Sequence, residues 1–217
     1  MRLALFGPPG AGKGTQSRRL VTRHRLVQIS TGDLFRAALR DETPVGLEAK
    51  QYMDRGALVP DAVVCRMVEG ALDARGHDGF VLDGFPRTVE QAEWLTAHLA
   101  ERDAPLDCVV SLVVDEDALV QRLSRRRTDR ETGAIYHLDF KPPPEGLPAD
   151  RLLHRKDDQP DVVRKRLVEY HEETEPVAAY YRDLGVLVEV DGMAGPNEVE
   201  AEIEQVIQAC GTIRTGV

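Results

Sequence analysis

Short apolar runs of strand length recur along the chain at residues 3–6, 27–29, 80–82, 108–114 and 186–190, and stretches of helical periodicity separate them. Continuous apolar runs suit strands buried on both faces, and their alternation with helices points to a parallel sheet covered on both sides. Right-handed crossovers leave few topologies for such a chain. The predicted fold is α/β: a five-stranded parallel sheet with helices on both faces, in one domain spanning residues 1–217. Two segments do not fit a minimal alternation. The first, from residue 30 to 73, holds about three helical stretches interrupted at Pro44 and Pro60. The second, from 125 to 158, is charged and poorly periodic, with Gly133, Pro142-Pro143-Pro144, Gly146 and Pro148. Insertions this long are usually functional lids or linkers, and Tyr136 and Phe140 favour a folded lid.

The first strand leads straight into Gly7-Pro8-Pro9-Gly10-Ala11-Gly12-Lys13-Gly14-Thr15, and a helical pattern follows with Leu20 and Val21. Strand, glycine-rich turn and helix together read as a phosphate-binding loop, or P-loop. Its glycines let backbone N–H groups converge on one point, where the helix N-terminus adds partial positive charge. Lys13 then reaches the β- and γ-phosphates as a mobile point charge. The usual motif places Ser or Thr directly after the lysine, to meet magnesium. Here Gly14 stands in that place and Thr15 follows, which argues against an ordinary switch GTPase or motor ATPase. A GTPase would also need an Asn-Lys-x-Asp stretch to read guanine, and the chain's one asparagine is Asn197.

Composition narrows the partners. With 217 residues and 42% apolar content, the chain suits one substantial core. A formal charge of −9 is inconsistent with the broad basic surface of a non-specific nucleic-acid binder. Cys65, Cys108 and Cys210 are widely spaced and odd in number, so they read as buried thiols in a reducing compartment. The six histidines follow no metal-binding spacing. The first apolar run is too short for a secretory core, and residues 108–114 fall far below the ~20 residues of a membrane helix. These features predict a cytoplasmic protein with no membrane partner.

Four further stretches matter together: Ser30-Thr31-Gly32-Asp33, Leu82-Asp83-Gly84-Phe85-Pro86-Arg87-Thr88, Tyr136-His137 and Arg155-Lys156-Asp157-Asp158. With the P-loop they closely resemble the adenylate kinases, nucleoside monophosphate kinases of the long-lid type. The resemblance runs from residue 1 to about residue 211. It implies that residues 30–73 form an AMP-binding subdomain and residues 125–158 a lid. The reaction implied is reversible, magnesium-dependent transfer of the γ-phosphoryl group of ATP to AMP, giving two ADP, by a monomer.

The same resemblance assigns roles. Lys13, Arg87, Arg126, Arg155 and Arg166 are the catalytic cations. Gly10, Ala11, Gly12, Lys13, Gly14 and Thr15 hold the ATP phosphates. Arg122 lies against the ATP adenine with Ile135 and Tyr136 nearby, and Ala194 makes a backbone contact there. Arg36 and Arg87 clamp the AMP phosphate, with Arg155 and Arg166 also reaching AMP. Gly84, Phe85 and Pro86 belong to the same acceptor site, and Ala57, Leu58 and Val59 wall the base. Asp83, with Asp33 as a second candidate, orients magnesium through water. Arginine suits this work because its planar fork binds phosphate oxygens in pairs. Arg122, Arg125, Arg126 and Arg127 taken alone read equally as a solvated basic helix end; counting back from Tyr136-His137 favours Arg126. The charges of Lys156, Asp157 and Asp158 pair with one another on the simplest reading, and Trp94 is core packing.

Two positions bear on the acceptor base. Thr31 stands where uridylate/cytidylate kinases usually carry Ala, and Gln91 falls where adenylate kinases place an amide against adenine. An amide offers one donor and one acceptor to that edge. AMP is the expected acceptor, with UMP or CMP as acceptor, or GTP as donor, the alternatives. A non-catalytic nucleotide sensor would not need the complete cation set. Some relatives pin the lid with a four-cysteine zinc site, but this lid contains no cysteine, so a thiolate site is excluded and the protein is expected to hold no zinc. Asp129 and Thr132 fall where two of the ligands would be, and a hydrogen-bond network is expected to replace the metal.

Overall fold

The computed structural model describes residues 1–55, 57–74 and 76–214. Residues 215–217 of the expected domain lie outside the described residues. Five parallel strands, β1 (Arg2–Phe6), β2 (Val27–Ser30), β3 (Phe80–Asp83), β4 (Cys108–Val113) and the last strand of the chain, β8 (Leu187–Asp191), form one sheet. Their order is β2-β3-β1-β4-β8. All five expected strands are present, with boundaries shifted by one residue at most. The fold is the predicted α/β sheet with helices on both faces.

Alternation within the central strands feeds two cores. Ala4 and Phe6 of β1, Phe80 and Leu82 of β3, and Val109 of β4 face one layer. There they meet α4 (Asp61–Asp73), α5 (Val89–Ala100) and α8 (Glu175–Asp183) through Val68, Leu72, Leu95, Leu99, Val177 and Tyr181. Leu3, Leu5, Val81, Val110 and Leu112 face the other layer, against Leu20 of α1 (Lys13–His24) and Val199, Ile203 and Ile207 of α9 (Pro196–Arg214). A period of two on each strand therefore supplies both faces, and this is why the runs read as continuously apolar. Cys108 is buried as expected, but Cys65 and Cys210 are only half-buried.

The segment between β2 and β3 forms α2 (Thr31–Arg40), α3 (Pro44–Met53) and α4, with Pro44 at the first turn of α3 and Pro60 capping α4. Proline suits both places because a first-turn N–H has no helical partner. The charged segment folds as a small antiparallel sheet of β5 (Arg126–Asp129), β6 (Ile135–His137) and β7 (Leu152–Leu153), ordered β6-β5-β7. It sits between α6 (Glu116–Ser124) and α7 (Pro160–Glu169), whose Leu119, Leu123, Val163 and Leu167 pack together. Phe140, expected to support a folded lid, is 74% exposed and only stacks on His137.

From residue 160 to 183 the backbone is one continuous helix with a widened turn at Tyr170–Thr174, where the amide of Glu175 bonds back to Tyr170. Pro176 follows immediately. A proline inside a helix lacks the N–H and crowds the carbonyl four residues back, and a widened turn makes room for it. Among the described residues, no helix is long and apolar enough to cross a membrane.

Candidate active site

The loop after β1 ends at Gly12, whose φ of +102° is a left-handed conformation, with nothing within 4 Å of where a Cβ would stand. Its carbonyl accepts the amides of Thr15 and Gln16, while earlier amides of a first turn have no intrahelical partner and face a ligand. Ala11 is buried beneath. Lys13 folds its ammonium onto the carbonyls of Gly7 (2.5 Å) and Pro8 (2.8 Å). Burial pulls its pKa down to about 7; Asp83 opposes that, and Arg87, Arg166 and Arg126 reinforce it.

Gly14 explains the departure from the common motif. A Cβ there would stand 3.3 Å from Asp83 Oδ2, which already accepts a hydrogen bond from the Gln28 amide at 3.0 Å. The missing side chain lets a half-buried carboxylate approach the first turn of α1. Burial raises the pKa of Asp83, with Lys13 the main opposing influence.

The residues expected on the acceptor side gather near the C-terminal ends of β2 and β3. Thr31, Phe35, Arg36, Ala57, Leu58, Val59, Gly84, Arg87, Gln91 and Arg166 line one pocket, with Met53, Val64 and Asp157. The Gly84 carbonyl accepts from the Thr31 hydroxyl (2.9 Å) and from Arg87 Nε (2.8 Å). Pro86 follows a cis peptide and lines the adjoining cavity with Lys13 and Arg87, while Phe85 is buried against Trp94. Trp94 is core packing, as expected. Asp33 accepts a 2.6 Å bond from Arg36, so this carboxylate is partly engaged. Gln91 is more constrained than a free base-reading amide. Its Oε1 takes the Arg87 amide at 2.8 Å and its Nε2 donates to Asp61 at 2.7 Å.

On the lid side, strand alternation sorts the arginines. Arg126 forms a two-pronged pair with buried Asp158 (2.8 and 2.5 Å), and Thr128, two residues on, accepts from Arg155 at 2.9 Å. Arg127 points elsewhere, onto the carbonyls of Ser124 and Arg126, and Arg125 pairs with Asp139. Arg166 pairs with Asp157 at 3.0 Å. The carboxylates of residues 157 and 158 therefore hold arginines, not Lys156, which lies 3.8 Å from Asp54. Burial lowers Arg87 and Arg155 to about 10 each, and Arg166 in the same direction, with neighbouring guanidinium groups adding to each shift.

The segment expected to act as a lid leans over the P-loop. Ile135 Cδ1 is 3.9 Å from the place of a Cβ on Gly14, and Arg18 of α1 donates to the Gly133 carbonyl at 2.9 Å. Tyr136 is half-buried one residue further along β6. Arg122 donates to the Gly192 carbonyl at 3.0 Å, in the same loop as Ala194. These two lie together at the end of β8, apart from the acceptor pocket.

The lid brace is fuller than its sequence suggested. Buried Asp129 accepts from Thr132 Oγ1 at 2.7 Å and from both Nε (3.0 Å) and Nη2 (2.6 Å) of Arg151. The Arg151 and Thr132 hydrogen bonds hold the Asp129 carboxyl far below its usual range. Arg151 carried no signal in the sequence, because nothing local links it to Asp129. The same holds for Asp61, which anchors Gln91 and Thr88, and for Glu169, which accepts the Leu58 amide at 3.2 Å. His77 and His98 also meet, although their spacing gave no sign of it.

Parallel sheet, glycine loop and converging cations define the class of P-loop nucleotide-binding α/β proteins. A family model described as adenylate kinase matches residues 5–186. The chain is similar to the adenylate kinase of Salinibacter ruber, 53% identical over 209 residues, which covers 96% of this chain and 99% of that one. It is 50% identical over 204 residues to that of Methylorubrum populi, covering 94% of each. With that of Carboxydothermus hydrogenoformans it shares 46% identity over 213 residues, covering 96% of this chain and all of the other. The chain belongs to the adenylate kinase family of nucleoside monophosphate kinases.

Proposed function

We propose that this chain transfers the γ-phosphoryl group of ATP reversibly to AMP, giving two ADP, with the residue roles that follow. One observation carries the reading. Lys13, Arg87, Arg155 and Arg166 converge, and burial and mutual repulsion hold each below its ordinary pKa. Such a cluster is relieved by a polyanion. Phosphoryl transfer spreads charge over the equatorial oxygens, so positioning and electrostatic stabilisation are the main work.

Lys13 holds the donor phosphates, and Arg36 and Arg87 hold the phosphate of AMP. Arg126, Arg155 and Arg166 close over the transferring group as residues 125–158 act as a lid. Closure brings these cations together and excludes the water that would otherwise take the phosphoryl group. Residues 30–73 supply the AMP pocket, where Phe35, Met53, Val59 and Val64 offer apolar walls for a purine. Arg122, Ile135, Tyr136 and the backbone at Ala194 receive the ATP adenine.

Magnesium enters with ATP in this family, and the residues fit it. A hard cation that keeps most of its waters needs only one or two carboxylates. Half-buried Asp83 presents one beside side-chain-free Gly14, with Asp33 the second candidate; the bound ion would neutralise phosphate charge. The Asp129–Arg151 brace supports a lid that closes without metal. The same reading takes the protein as a cytoplasmic monomer whose partners are ATP, AMP and ADP, and light scattering checks its mass.

A coupled assay of ADP production across AMP, UMP, CMP and GMP, with ATP and GTP as donors, tests the reading. AMP with ATP should be the best pair, and ATP hydrolysis without acceptor should be slow. UMP outperforming AMP, or rapid hydrolysis without acceptor, would overturn it.

A further inference from the structure

The rim of the sheet opposite the P-loop carries a second set of convergent side chains. Asp73 ends α4, His77 lies in the connection that enters β3, and His98 sits in the last turn of α5. His77 Nε2 is 3.3 Å from His98 Nε2 and 3.3 Å from Asp73 Oδ1. One ligand atom from each of the three residues falls within 4.8 Å of the others. None of these groups touches the nucleotide site.

We propose that Asp73, His77 and His98 form a zinc site that fastens the end of α4 to α5. Zinc takes imidazole nitrogen and carboxylate oxygen at about 2.0–2.2 Å in tetrahedral geometry, which puts neighbouring ligand atoms about 3.3–3.6 Å apart. Two edges of that tetrahedron already have this length. An octahedral ion with ligands at about 2.1 Å would need edges near 3.0 Å. The donor set, two imidazoles and one carboxylate, is also the borderline mixture that zinc accepts and magnesium does not favour.

The surroundings fit as well. His98 is 6% exposed and its ring stacks on Trp94 with centroids 4.8 Å apart, which fixes its plane. Its other nitrogen, Nδ1, faces Glu69 Oε1 at 3.8 Å, on the side where an outer carboxylate orients a metal-bound imidazole. Asp73 is exposed, so the fourth position opens to water. Zinc binding would move the proton of either neutral ring to Nδ1 and leave both Nε2 lone pairs on the metal. The sequence-based expectation of a zinc-free protein is thereby confined to the lid.

Trp94 is the chain's one tryptophan, so its fluorescence reports on His98 directly. Untagged, chelator-treated protein in excess magnesium is titrated with cobalt(II), a paramagnetic quencher, and then with zinc. Cobalt should quench Trp94 at one equivalent, and zinc should restore the emission. Loss of an outer partner alone weakens metal sites about 10–100-fold. His77→Gln should therefore weaken zinc binding at least about 100-fold, and Asp73→Asn at least about tenfold. Both replace partly exposed side chains and should leave phosphotransfer unchanged. Absence of quenching in the parent would overturn the proposal, as would quenching and zinc affinity that are unaltered in His77→Gln.

Discussion

Two clusters of cations and carboxylates, one inside the charged segment and one around the P-loop, are built to opposite rules. In the brace, one carboxylate meets one guanidinium in a two-pronged pair, and each strengthens the charge of the other. Asp129 is held well below its usual range and Arg151 above its own, each chiefly by the hydrogen bonds between them. Around the P-loop, cations outnumber the nearby carboxylates, and Lys13, Arg87, Arg155 and Arg166 are all depressed. Matched charges hold a shape. A surplus of half-buried cations stores an unfavourable interaction that an anionic substrate relieves, which is the usual exchange of stability for function at such sites.

Removing a cation from the unmatched cluster should have the largest effect on turnover. Contacts to transferring phosphoryl charge are worth about 10³–10⁵ in the best cases, so Lys13→Met should lower kcat by at least about 10². Steady-state kinetics on a variant with unchanged far-UV circular dichroism checks this, and near-normal activity would break the contrast. Arg151→Ala should change kcat far less, by about severalfold, because its partner is structural. Its mark should instead be faster amide exchange in the β5–β7 sheet with little change in the central strands. Arg151→Lys should only partly restore protection, since a point charge cannot reproduce the fork.

The pH dependence of stability separates the clusters further. The folded pKa of Lys13 is lowered to about 7 from 10.5. Between these values the unfolded chain binds more protons than the folded one, so stability of the nucleotide-free protein rises with pH across that window. Below about pH 7 the penalty is present in full. Urea midpoints should show this slope in the parent and lose most of it in Lys13→Met, at about 1.4 kcal/mol per pKa unit as an upper bound. Asp129 acts in the reverse direction. Its depressed pKa adds stability that is present above the unfolded value and disappears only as pH falls well below it. The smallest effect is a fraction of a proton taken up when magnesium-free ATP binds near pH 7.5, as phosphate restores charge to Lys13. Calorimetry in buffers of different ionisation enthalpy measures it, and zero uptake would mean that Lys13 is already fully charged.

What could be read from the sequence followed the range of the interactions. The five strands and the P-loop are local patterns of a few residues, and they appear where expected. The residues of the Asp-Gly-Phe-Pro-Arg stretch came through resemblance, and Gly84, Pro86 and Arg87 among them line the cavities beside Lys13. Arg151 on Asp129, Asp61 on Gln91, and His77 against His98 are pairings across 20 or more residues. No local periodicity encodes them. Gln91 is instructive because its side chain was expected to serve a ligand, yet both ends are already engaged by Arg87 and Asp61. Only its second amide hydrogen and the remaining lone pair are left for a base.

The widened turn at Tyr170–Thr174 has a consequence for angle. Arg166 and Val177 are eleven positions apart, and at about 100° per residue an unbroken α-helix would bring them to within about 20° of the same azimuth. Val177 faces the apolar core. A widened turn accommodates one extra residue, so it retards the helix by about 100° and swings Arg166 off that azimuth toward the cavity that Lys13 and Arg87 line. The feature works as a phase shifter between a packing half and a charged half. An unbroken α-helix of the same residues would aim Arg166 into the hydrocarbon that anchors its own C-terminal half, whereas deleting one residue at the turn would straighten the helix and leave Arg166 and Val177 in their present relation.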